Sequence, residues 1–393
     1  MKNVKQFTSY IALVAVIFSL WIMSGCSKSS DVVPTKTLVD LIAQTSYQQS
    51  ATVTDDKALD SLVKYLSIYP DLVTLLGAPD KYTLFAPSNK AFKNLLATPG
   101  FPTNIKKINP AIIQGVLYYH IVADQKLQAS LTSGLVLNSL YTDPLSPSAA
   151  QTITINADFT LKTGSSNQSI HITLADQKAI NGVFHITESV LIPPSIGSTL
   201  TPILGTVAGT ILLGADFTDL ATIISKADNG FAESAPNLAF KVSTWLAMPI
   251  ATSGTATANA KGITFFAVPN AVFKAAATAQ SITEAQLVAA LSTTSDAARG
   301  FLLNHLVTTG QYTVADAPAS NPNGITKFTS GTIVPKSGAT KTITVSVSTA
   351  SSSNPYGVAV SNNPTVSTSF APIVSKDIAH SNGQAQVIGG MLK

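Results

Sequence analysis

The chain has 393 residues, 45% of them hydrophobic and only 11% charged, with a net charge of +4. That length accommodates two or three domains with real cores, while the near-neutral balance gives no electrostatic footing for nucleic-acid binding. A single arginine, Arg299, argues against phosphate clamps and bidentate carboxylate recognition.

Residues 1–25 read as a signal peptide. Lys2 and Lys5 make a positive start, and residues 11–23 (IALVAVIFSLWIM) form an apolar run too short to span a bilayer comfortably. The run ends in Met23-Ser24-Gly25-Cys26. Small residues directly before a cysteine resemble the lipobox of bacterial lipoproteins. In that family the peptide is cut before the cysteine, which then carries acyl chains. The resemblance implies a membrane anchor at Cys26, the one cysteine of the chain. Ser27 follows it where Asp would favour inner-membrane retention, a lean towards the outer membrane. Residues 26–36 read as a flexible tether.

A first unit is expected over residues 37–195. Leu59, Leu62, Val63 and Leu66 fall on one helical stripe, which Pro70 ends. Asp71 is expected to cap a short helix closed by Gly77. Residues 82–95 (YTLFAPSNKAFKNL) read as a buried strand and then a helix capped by Ser88. Asn109-Pro110 looks like an N-cap followed by proline at the first helical position, and Ile113, Val116, Leu117 and His120 share a face behind it. Short strands follow at 152–156, 159–162 and 169–173, and Asn181-Gly182 turns the chain into a closing strand. Across strands, His185 is expected opposite His171. Asp176 and Asp377, each five residues before an Asn-Gly, suggest turn-stabilising side chains.

A second unit, over 198–393, repeats that order: residues 263–276 (ITFFAVPNAVFKAA) copy the strand and helix at 82–95. Phe217, Leu220, Ala221 and Ile224 make its first stripe. Ser281 and Glu284 read as a capping box, and Asp296 as the start of the next helix. His305 falls where the first unit has His120. Residues 382–392 match 181–191, with an insertion at about 228–262 that carries Trp245.

The residues TLFAPSNKAF at 83–92, Tyr119-His120 and NGVFH at 181–185 make the first unit resemble the fasciclin (FAS1) domain. That family carries T-x-F-A-P-[ST]-[DN]-x-A-F, a central Tyr-His and a closing N-G-x-[IV]-H. The second unit resembles it as a degraded copy. Val268 and Pro269 replace Pro87 and Ser88, which moves the expected N-cap to Asn270; Asn304-His305 replaces Tyr119-His120, and Gln386 replaces His185. The resemblance implies an α+β fold, two tandem wedge-like β-sandwiches with several packed helices.

It also implies adhesion without catalysis, through binding of a surface protein, matrix or polysaccharide. Joined to the lipobox resemblance, this makes a lipid-anchored envelope protein; no cofactor is expected, and His171 and His185 without Cys, Asp or Glu at ligand spacing give no expectation of a metal. Ligand contact is expected at Tyr118, Tyr119 and His120, with Asn304 and His305 as the second copy's counterparts. Set against this, a histidine on an apolar helical stripe is more often a satisfied core residue. Trp245 supports an alternative, an accessory glycan-binding lipoprotein that stacks a sugar on the indole, while a lid over the core is the plainer reading of its insertion. An unrecognised hydrolase and a structural envelope spacer complete the alternatives. No G-x-S-x-G, H-E-x-x-H, G-x-G-x-x-G or P-loop motif occurs.

Overall fold

The computed structural model describes residues 33–47, 54–144, 147–163, 169–229, 241–248, 250, 262–307, 311, 313, 325–329, 342–347, 356–361 and 371–392. Cys26, the expected signal peptide and part of the expected insertion lie outside them. Among the described residues, no helix is long and apolar enough to cross a membrane.

The fold is α+β. Its first half runs α1 (Leu38–Tyr47), α2 (Asp60–Leu66), α3 (Pro70–Gly77), β1 (Tyr82–Pro87), α4 (Asn89–Leu96), α5 (Pro110–Tyr119), β2 (Ile121–Ala123), β3 (Val136–Asn138), β4 (Thr152–Ile155), β5 (Leu161–Thr163), β6 (Ile172–Ala179), β7 (Gly182–Thr187) and α6 (Pro194–Leu200). Every residue of β1 and β7 is buried, because both faces of this strand pair are covered. Leu84, Ala86, Phe184 and Ile186 face the helices. Phe85 faces the other way, into a second core with Leu137, Ile153, Ile155 and Leu161 of the sheet β3-β4-β5. β1 runs parallel to β7, from Tyr82 opposite Gly182 to Pro87 opposite Thr187, in a sheet of order β2-β1-β7-β6. The earliest strand of this half thus pairs with its last.

One side chain fastens that closure. Asn181, in the turn before β7, is 2% exposed. Its Oδ1 accepts from the Leu38 N–H at 2.8 Å, and its Nδ2 donates to the carbonyls of Leu76 and Ala78, both at 2.7 Å. The start of α1 and the end of α3 are therefore tied to one turn. Gly182 follows it because a Cβ there would lie 2.2 Å from the Tyr82 carbonyl oxygen.

The second half runs α7 (Val207–Leu213), α8 (Thr218–Asn229), α9 (Val242–Ala247), β8 (Ile263–Ala267), α10 (Asn270–Ala279), α11 (Glu284–Leu291), α12 (Ser295–Leu303), β9 (Leu306–Val307), β10 (Ile325–Thr329), β11 (Thr342–Val347), β12 (Tyr356–Ser361), β13 (Ala371–His380) and β14 (Gly383–Ile388). These strands form a single sheet of order β10-β11-β12-β13-β14-β8-β9, with β8 parallel to β14. Asn382 repeats the fastening: Oδ1 accepts from Val207 N–H at 3.0 Å and Nδ2 donates to Leu246 O at 2.8 Å. So α7 stands in the place of α1 and α9 in the place of α3. The segment read from the sequence as an insertion holds a helix both halves share.

Several local expectations are corrected. Tyr69, not Asp71, occupies the N-cap of α3 and Pro70 is its first residue. The capping box is Thr283 with Gln286 rather than Ser281 with Glu284, and Thr294 caps the helix that holds Asp296. Asn270 is the first residue of α10, not its cap. Its amide instead accepts from Asp219 N–H at 3.2 Å, as Asn89 accepts from Ser61 N–H at 2.8 Å. Asp176 and Asp377 sit within strands at positive φ, 57° and 54°, beside register slips. They form bulges, not turns.

The two halves meet closely. Asn109 N–H donates to Leu213 O at 2.6 Å, and Lys107 pairs with Asp216 at 3.1 Å. A Cβ on Gly100 would come within 2.3 Å of Gly205 N, so the chain backbones touch there. Asn181→Ala strands two buried backbone groups and a part-buried one and should lower stability by roughly 2–4 kcal/mol in chemical denaturation. Lys107→Ala removes only an exposed pair and should change it by less than about 0.5 kcal/mol. Equal effects of the two substitutions would contradict this ordering.

Candidate ligand-binding site

The corner at the end of α5 gathers the sequence-predicted residues of the first half. Asn109 caps the helix, its Oδ1 accepting from Ala111 N–H at 3.0 Å, with Pro110 at the first position. At the other end of this ten-residue helix, Tyr118 and Tyr119 point apart. Tyr118 is half-buried, and its hydroxyl donates to Asp71 Oδ2 at 2.7 Å. Gln114 Nε2 donates to the same oxygen at 2.9 Å. The tyrosine hydroxyl holds the Asp71 carboxyl below its usual range. Burial first, and then Asp71, push the Tyr118 phenol up to about 12. The surface here is thus a neutral phenol fixed by an anion. Sequence reading missed the Asp71–Gln114–Tyr118 cluster because Asp71 lies on α3, a separate helix.

Tyr119 is fully buried and donates to Thr152 O at 2.6 Å, joining α5 to β4. Burial raises its pKa. His120 is buried with both ring nitrogens engaged: Nδ1–H donates to Val116 O at 2.7 Å, and Nε2 accepts from Leu191 N–H at 2.9 Å. His305 repeats this, with Phe301 O at 2.8 Å and Leu392 N–H at 3.1 Å. Both rings are neutral Nδ1–H tautomers, since each Nε2 must accept. They pin the segment after the last strand to the end of a helix. Asn304 is buried beside His305, its Oδ1 without a partner.

Of these residues Tyr118 keeps a solvent-facing side. Tyr119, His120, Asn304 and His305 are core groups behind the surface, out of reach of an external ligand. Trp245 is likewise corrected as a stacking platform. It is 7% exposed and belongs to the core of the second half, on α9 against α7 and α8. A sugar ring has no access to its face. His171 and His185 do not form a pair: His185 turns inward to stack on Phe85 at 5.7 Å, while His171 N–H donates to Glu188 Oε1 at 2.9 Å. Among the described residues, no three His, Cys, Asp or Glu side chains converge.

A cavity of ≈ 820 Å³ lies elsewhere, lined by Asp219 and Lys226 of α8 and Glu284 of α11. Burial, with the Glu284 carboxyl beside it, pushes Asp219 up to about 7. Sequence reading gave this pair no role, because the two carboxyls lie on helices far apart in the chain.

The family model of the fasciclin domain matches residues 57–193. The uncharacterized protein sll1735 of Synechocystis sp. is 28% identical over 122 residues, covering 31% of this chain and 80% of that protein. The solved structure of a FAS1 domain pair from the insect cell adhesion molecule Fasciclin I covers 84% of this chain and 96% of its own, at 16% identity and a TM-score of 0.32.

The buried histidines set a pH dependence. Burial lowers His120 and His305 to about 4 from 6.5. Between those values the unfolded chain binds more protons than the folded one, so stability present above pH 6.5 is lost as the pH falls towards 4. Each histidine should account for about 2 kcal/mol of loss between about pH 7 and 5. Urea midpoints at those two values test this; a midpoint that stays level or rises on acidification would refute it.

Proposed function

We propose that this chain, whose residues 57–193 match the family model of the fasciclin domain, is a lipid-anchored adhesion or ligand-binding protein of the cell envelope, built from two tandem units, 37–195 and 198–393. Fasciclin domains are generally adhesion or ligand-binding modules, and the family match carries the reading. No reaction is assigned to the chain. The anchor is Cys26, acylated after cleavage behind Gly25, and the lean is to the outer membrane.

The binding face is the corner of α3 and α5. Tyr118 offers an apolar ring with a hydroxyl already oriented by Asp71. Gln114 adds a second polar edge held by the same carboxylate. Rings held in place lose little conformational entropy on binding, which suits them as anchors for a surface protein, a matrix component or a polysaccharide. Tyr119 and His120 act from behind, as positioning residues that fix the end of α5.

Two measurements test the proposal. In detergent phase partitioning, the processed chain should enter the detergent phase and Cys26→Ser the aqueous phase; the same phase for both removes the lipid anchor. Cells bearing Tyr118→Ala should adhere several-fold less to envelope polysaccharide or matrix-coated surfaces than cells with the parent chain, at equal surface amounts. Adhesion unchanged by deletion of residues 37–393 would overturn the function itself.

A further inference from the structure

A joint between β6 and β7 recurs between β13 and β14 in the second half, built from different chemistry. In β6 the register with β7 slips between Leu174 and Gln177, which leaves Asp176 in the left-handed region at φ 57°. Its N–H lies outside the regular ladder and donates to His185 Nδ1 at 3.2 Å. The far nitrogen of His185 reaches the loop after β2, Nε2–H donating to Lys126 O at 2.8 Å. Asp176 Oδ1 accepts from Gln128 N–H in the same loop at 2.8 Å. Two side chains, on neighbouring strands, thus hold the loop at residues 124–131. In β13, Asp377 takes the same left-handed conformation at φ 54°. There Gln386 Oε1 accepts from Asp377 N–H and Gln386 Nε2 donates to Asp377 Oδ1, both at 2.8 Å.

We infer that His185 and Asp176 form a proton-sensitive latch on the loop at residues 124–131, and that the second half carries the same joint in a form that does not titrate. The latch requires a neutral imidazole, because Nδ1 must accept. A proton added at Nδ1 turns the acceptor into a donor facing the Asp176 N–H, and that bond is lost. The Asp176 carboxylate, with Oδ1 3.9 Å from Nδ1, is the anion at hand. To take the new N–H, Oδ1 must close the 3.9 Å gap to Nδ1 by about 1 Å, which pulls it from its 2.8 Å bond with Gln128 N–H. One proton therefore removes the bulge bond and weakens one of the two loop ties, while Nε2–H to Lys126 O persists. Gln386 has no proton to gain at these pH values.

The surroundings decide the direction. His185 is 0% exposed. From the loop it is met by the Lys126 carbonyl, while the charged side chains of Lys126 and Asp124 pair with each other at 2.6 Å; β1 contributes Phe85 and no charge. Burial holds the ring below the ordinary histidine range, against the opposing pull of Lys126 O and Asp176. The latch is thus closed at neutral pH and opens on acidification. The loop follows directly from β2, which begins after Tyr119 and His120, so opening loosens the chain beside the α5 corner.

Hydrogen exchange read by mass spectrometry on the full chain at pH 7.5 and 5.0, corrected for intrinsic rates, tests this. Acidification also speeds global opening through His120 and His305, so peptides from β1 and α4 set the baseline. Peptides spanning 124–131 and 172–179 should exchange about tenfold faster than that baseline shift at the lower pH, while a peptide at 371–379, which stops short of the buried His380, should only follow the baseline. His185→Gln, which installs the second half's chemistry, should abolish the difference. Equal behaviour of the two joints, or an acid response at 124–131 above the β1 and α4 baseline that survives His185→Gln, would overturn the proposal. If that substitution prevents folding, the wild-type contrast between the two joints decides alone.

Discussion

Everything in each half depends on a parallel pair made from its earliest and latest strands. Parallel neighbours need a long crossover, and here the crossover is most of the domain. Such a closure brings together segments far apart in the chain, at a substantial loop-closure entropy. The structure answers with buried amides at the closing turn. Asn181 ties that turn to the start of α1 and the end of α3, and Asn382 does the same for α7 and α9. A buried amide with every group satisfied specifies one arrangement, since any other leaves its own and the backbone's polar groups unpaired in a dry interior.

The same logic explains why the residues most easily read as functional are structural. His120 and His305 each join a helix carbonyl to the backbone N–H of a segment that follows the last strand. An imidazole does this well because its two nitrogens are a donor and an acceptor at opposite ends of a rigid ring. Tyr119 spans from α5 to β4. These groups form a frame of polar staples behind the surface that carries Tyr118.

The two halves keep the frame and change individual members. Gln386 does for the second bulge what His185 does for the first, with an amide in place of a titrating ring. Asn304 takes the tyrosine position with its Oδ1 unpaired among the described residues. The fold tolerates these exchanges because the joint needs an acceptor for one N–H, not a particular side chain. What the exchange alters is the response to protons.

Much of this architecture could be read from the amino-acid order. Helix stripes, the Ser88 cap, the Asn109-Pro110 start and the alternation of the late strands are local patterns, set by spacing and backbone preference within a few residues. The resemblance to fasciclin domains likewise rests on short local strings. Misreadings arose where two nearby residues compete for one local role. Ser281 and Thr283 both suit an N-cap, and the left-handed conformation of Ser281 places the helix start at the second. Which polar residues are buried, that Asp71 and Tyr118 meet from separate helices, that Trp245 lies inside and that His185 turns to a loop rather than to His171 were decided only by tertiary structure. The physical reason is that a side chain's partner and its exposure are properties of the packed neighbours. Those neighbours come from distant parts of the chain, brought together by the long crossover between the first strand and the last.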